Sequence, residues 1–124
     1  MDIDTTSLKP IFIQIADWIE DQIMNGTLEE GMQIPSTNQL AAHYQINPAT
    51  AGKGINLLVS EGIVYKKRGI GMFIAEGAYE KIHKKRRLQF EQETLPILLT
   101  EAKRLGIGAK ELIAMILRQE QKEQ

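Results

Sequence analysis

Apolar residues at Ile11, Ile15, Trp18, Ile19 and Ile23 recur at the spacing of one buried helical face. Asn25-Gly26 stops this first helix. A turn, TLEEGMQIPS, leads through an extended stretch at Met32–Ile34 to Ser36. There an S-x-x-Q capping box with Gln39 opens a second helix that buries Leu40, Ala41 and Tyr44. After a tight turn at Gln45–Ile46, Asn47 caps and Pro48 starts a third helix, which runs to Ser60 or Glu61 and ends at Gly62. Ile63–Lys67 and Met72–Ala75 alternate as two short strands, joined by Arg68-Gly69-Ile70-Gly71. The order of helix, short strand, helix, turn, helix and hairpin is that of a winged helix-turn-helix. The predicted fold class is therefore mainly α with a small β-hairpin wing (α+β).

Projected at 100° per residue, the third helix buries Ala51, Ile55 and Leu58. Ala49, Lys53, Asn56 and Ser60 point outward, and Thr50 flanks that outer face. Two glycines stand in its first turns, each costing about 1 kcal/mol against alanine. Gly54, at the edge of the buried stripe, is expected to let the second helix approach. Gly52 lies off the core, where it either lets backbone come near a partner or is a neutral feature of a solvated face.

Beyond the hairpin, residues 78–104 follow a helical pattern that would span roughly 40 Å if continuous. Pro96 removes the bond to the carbonyl of Gln92, which predicts a kink or break near 92–96. Gly106 and Gly108 flank a turn, and a last helix extends from Ala109 to Gln119. The longer helix offers Ile82, Leu88, Leu95, Leu98, Leu99, Ala102 and Leu105, and the last helix offers Leu112, Ile113, Ile116 and Leu117. Two helices cannot enclose a core of their own, so these stripes need another surface, and a second copy of the chain is the simplest. The expected organisation is a winged helix-turn-helix over 8–76 and a helical dimerisation segment over 77–124.

Composition narrows the partner. Of the 124 residues, 43% are hydrophobic and 25% charged, which suits a folded soluble protein rather than a disordered tail. The absence of cysteine excludes a disulfide framework and a cysteine zinc site, and suits a reducing cytoplasm. No apolar run approaches membrane-spanning length, and the start, MDIDTTSLKP, has no apolar signal region. The net charge of −1 argues against a nucleic-acid partner until its distribution is considered. Residues 1–76 hold five Lys/Arg and nine Asp/Glu, yet Lys53, Lys66, Lys67 and Arg68 fall together between 53 and 68. Any basic surface there is local. KIHKKRR at 81–87 is the strongest basic run. It is either a solvated face braced by Glu80–Lys84 and Arg87–Glu91 pairs or a flanking phosphate contact.

Enzyme chemistry finds no support. No P-loop is present, and GIGMFI has Ile74 where G-x-G-x-x-G needs its third glycine. No nucleophile, base and acid set stands out, and His43 and His83 have no ligand-spaced partners, so no cofactor or metal is expected.

Residues 8–76 resemble the DNA-binding domain of GntR-type bacterial transcription regulators. The carrying stretches are PIFIQIADWIEDQIMNGTLEEGMQIPSTNQLA, INPATAGKGINLLVSEGIVYKK and RGIGMFIA. The N-P-x-T-x-x-K start of the third helix is similar to the YtrA-type branch, whose C-terminal part is short and helical. The resemblance implies a cytoplasmic bacterial regulator, a repressor, that binds a palindromic operator in double-stranded DNA as a homodimer. It implies DNA contacts at Ser36, Asn38, Thr50 and Lys53, with Arg68 and Gly69 at the wing tip. Asn47, Ala49, Asn56 and Lys67 complete the candidate DNA-binding set. The chain departs from many relatives in carrying Asn38, Pro48 and Gly52 where they carry arginine, so several guanidinium contacts to phosphate or guanine are absent. Leu88, Leu95, Leu98, Leu99, Leu105, Leu112, Ile113 and Ile116 are the candidate dimerisation residues. The short tail leaves little room for an enclosed effector pocket, and the sequence names no effector. A winged helix used only for protein–protein interaction is the competing reading.

Overall fold

The computed structural model describes residues 2–124. It divides into two compact units, one reaching to Lys84 and the other covering Lys85–Gln124.

In the first unit, α1 (Ile11–Met24), α2 (Thr37–Tyr44) and α3 (Pro48–Ser60) precede a hairpin of β1 (Val64–Lys67) and β2 (Gly71–Ile74). The strands pair antiparallel, with Val64 opposite Ile74 and Lys67 opposite Gly71. Met32–Ile34 runs alongside β2: Ile34 N–H donates to the Met72 carbonyl, and Ile74 N–H to that of Met32. The local reasons for these elements are those in the sequence. Ser36 and Gln39 form a complete capping box, Asn47 caps α3 from the Ala49 amide, and Pro48 occupies its first turn. Gln45, at the end of α2, takes a left-handed conformation (φ 52°), which permits the short α2–α3 turn.

Ile15, Ile19, Ile55, Leu58, Ile63, Val64 and Ile74 form the closed core of this unit, with Leu40 and Ala41 from α2. Trp18 and Tyr44 are only half-buried and meet edge to face, their ring centres 6.4 Å apart. The core also takes Ala78 and Ile82 from α4 (Ala78–Gln89), both 0% exposed. The boundary between units thus falls at Lys84/Lys85 rather than at 76/77, and Ile82 leaves the exposed stripe assigned to it. Glu30 accepts the Gly77 N–H at 2.9 Å, tying the α1–α2 turn to the start of α4. Remote from these contacts, the Thr6 hydroxyl and amide hold the Asp4 carboxyl below its ordinary pKa.

Gly54 corrects another expectation. A Cβ there would sit 2.7 Å from the Phe12 carbonyl oxygen and 3.2 Å from Ile15. The close approach is therefore to α1, not α2.

In the second unit, the expected kink or break is a π-helical turn, Phe90–Thr94, followed by α5 (Leu95–Arg104). Leu95 N–H bonds to the Phe90 carbonyl, and the residues on either side keep right-handed helical angles. The wider turn accommodates the missing proline N–H without ending the helix. α6 runs from Ala109 to Glu123, past the expected Gln119. Ala102 is buried here, while Leu88, Leu95, Leu98, Leu99, Leu105, Ile113 and Ile116 are exposed and Leu112 is half-buried.

Candidate nucleic-acid interface

The candidate residues stand on two helix N-termini and the hairpin. α2 and α3 pack against each other, and each begins with a capping side chain; in α3 the proline at the first position and bonds from the Ala49, Thr50 and Ala51 amides to Asn47 leave no first-turn N–H free. Ser36 Oγ accepts the Gln39 amide at 3.1 Å, and Asn47 Oδ1 accepts that of Ala49 at 2.8 Å. Both side chains therefore set local geometry before they meet any ligand. Asn38, Ala49, Lys53 and Asn56 are exposed, and Thr50 is half-buried. Lys67, Arg68 and Gly69 are exposed on the wing, and Gly69 takes a positive φ of 78° in its turn.

Gly52, for which the sequence leaves two readings open, lies beside α2. A Cβ at that position would lie 3.5 Å from Thr37 Cγ2, an ordinary contact with α2. The glycine faces the neighbouring helix.

Aromatic rings hold two of the three candidate cations. The Lys53 ammonium lies 4.2 Å from the centre of the Phe12 ring on α1. Lys67 lies 4.5 Å from the Phe73 ring, which stacks on Tyr65. Such contacts are worth about 0.5–1 kcal/mol at exposed sites, enough to restrict a long side chain without removing its charge from solvent. Phe12 and Phe73 carry no sequence signal for this role, since each looks like a half-buried apolar position. In the basic run, Lys81 donates to the Gly62 carbonyl at 3.2 Å and Ile82 is buried. That part of KIHKKRR packs on the first unit.

Among the described residues no cluster of three or more His, Asp or Glu is placed to hold a metal. No helix there is long and apolar enough to cross a membrane.

Two capped helices and a basic hairpin of this geometry define the class of winged helix-turn-helix transcription regulators. The family model for bacterial regulatory proteins of the gntR family matches residues 13–74. The HTH-type transcriptional repressor YtrA of Bacillus subtilis is 30% identical over 110 residues, covering 89% of this chain and 84% of that repressor. A crystal structure of a GntR-family regulator from Bacteroides thetaiotaomicron superposes with a TM-score of 0.77 at 37% identity, covering 92% of this chain and 99% of its own. AraR(DBD) in complex with an operator matches at a TM-score of 0.55 and 28% identity, covering 60% of this chain and 93% of the AraR chain. The chain belongs to the GntR family of bacterial regulatory proteins, and is a transcriptional regulator by that membership.

Proposed function

We propose that this protein is a cytoplasmic repressor that binds a palindromic operator as a homodimer. The first unit contacts one half-site. Ser36, Asn38, Asn47, Ala49 and Thr50 line the duplex at the two helix N-termini, with Lys53 and Asn56 further along α3. Lys67, Arg68 and Gly69 meet it through the wing. The second unit pairs with its copy through Leu88, Leu95, Leu98, Leu99, Leu105, Leu112, Ile113 and Ile116.

The observation that carries the reading is the joint exposure of two capped helix starts and a basic hairpin on one small unit. This arrangement supplies exposed cations for phosphate beside side chains able to meet base edges. The likeness to AraR(DBD), solved with its operator, supports it.

Selection of bound duplexes from a random pool, followed by titration of the winners at several salt concentrations, tests the reading. The expected winners carry an inverted repeat, and the logarithm of their affinity falls linearly with the logarithm of salt concentration. A protein that retains no duplex at any salt concentration would instead be a winged-helix protein-interaction module.

A further inference from the structure

The tip of the wing is fastened from outside the hairpin. The Gln33 side-chain amide donates to the Ile70 carbonyl at 3.1 Å, across 37 residues of sequence. Gln33 also forms an isolated antiparallel bridge with Phe73. Neighbouring backbone bonds, Ile34 N–H to Met72 and Ile74 N–H to Met32, hold the backbone that carries it alongside β2. Within the turn, Ile70 N–H donates to the Lys67 carbonyl at 3.0 Å, so Ile70 is tied on both sides of its backbone. Gly71 completes the arrangement. It has a φ of 148°, and a Cβ there would collide with Gln33 Nε2. The hairpin leaves room at Gly71 for the Gln33 amide.

We propose that Gln33 is a positioning residue for DNA binding: it fixes the wing turn so that Lys67 and Arg68 are presented in one geometry. The inference rests on the reading that the wing meets duplex. A four-residue strand pair with a glycine-rich turn is marginal in isolation, and its tip residues are exposed. Without an external tie the turn samples several conformations, and each cation loses part of its contact to that averaging. Gln33 itself needs no contact with the nucleic acid.

The test uses the full chain with Gln33→Ala and Gln33→Glu. The second keeps the side-chain shape but has no donor for the Ile70 carbonyl. In the free protein, backbone amide relaxation should show Gly69, Ile70 and Gly71 becoming more mobile in both variants, while the melting temperature stays near that of the parent. On a selected duplex, Gln33→Ala should weaken binding about three- to tenfold, the worth of one hydrogen bond. In a chain already carrying Lys67→Ala and Arg68→Ala, the same change should have no further effect, because the two cations that Gln33 is proposed to position are gone. A loss that persists undiminished in that background overturns the positioning role, since a purely structural effect would persist. Unchanged relaxation at residues 69–71 overturns it whatever the duplex does. If the parent binds no duplex while the turn still loosens, the DNA reading fails and Gln33's hold on the wing stands.

Discussion

The two units spend their apolar residues differently. The first closes a core of isoleucines, leucines and alanines drawn from three helices, the hairpin and the start of α4. The second buries Ala102 but leaves a row of leucines and isoleucines in water, with Ile97 70% and Leu105 67% exposed. Both have helical periodicity of similar quality, so amphipathic pattern alone does not distinguish a stripe that the chain itself covers from one that it leaves exposed. What differs is the number of elements available to cover each stripe.

Substitutions at matched residues should break the symmetry between the units. Ile82→Ala removes a fully buried side chain from the first unit and should cost about 2–5 kcal/mol in thermal or denaturant unfolding. Leu98→Ala with Ile116→Ala, both exposed, should barely change the unfolding of the isolated chain. If the second unit pairs with its copy as proposed, they should instead raise the dimer dissociation constant by at least about tenfold, as analytical ultracentrifugation would measure.

The two glycines of α3 sharpen the same point within one helix. Gly54→Ala drives a Cβ onto the Phe12 carbonyl and should destabilise by about 1–3 kcal/mol. Gly52→Ala meets only the Thr37 methyl at contact distance and should stabilise by up to about 1 kcal/mol, through helix propensity. Equal effects on the melting temperature would mean that the two positions are not packed as described.

Charge offers smaller effects. Lys67→Ala with Arg68→Ala should flatten the salt dependence of duplex binding by up to about two units of slope. Phe12→Leu leaves Lys53 its charge but removes the ring beneath it. It should weaken binding by about 0.5–1 kcal/mol, read as a two- to fivefold change in affinity, if the ring holds Lys53 toward the duplex.

What was legible in the sequence was local. The Ser36–Gln39 box, the Asn47-Pro48 start, the Gly62 stop and the glycine-rich turn each act within a few residues, and each stands where its chemistry requires. What was not legible was which surface each face would meet. Gly54 is spaced correctly for close packing, yet nothing in α3 says that the neighbour is α1. Ile82 continues the stripe of the helix that follows the wing, but the first turns of α4 fold onto the N-terminal core. The Lys53–Phe12 and Gln33–Ile70 contacts join residues distant in sequence and of ordinary type, so no spacing rule announces them. Pro96 signalled a disturbance correctly, while its form, a π turn rather than a break, depended on the helix's ability to widen locally.

The central claim is that the first unit reads the duplex alone and the second supplies the second copy. Ile82 fixes where the chain must be cut: a fragment ending at Gly77 would lose Ala78 and Ile82 from the core, whereas one ending at Lys84 keeps the unit whole. The most direct measurement is the mass and affinity of full chain and Lys84 fragment on the same selected duplex, by sedimentation and titration at fixed salt. Two full chains per operator are expected, together with a folded, monomeric fragment that keeps the same base preferences on a half-site but loses most operator affinity. A fragment that still dimerises and binds the whole operator as tightly as the full chain would contradict the claim.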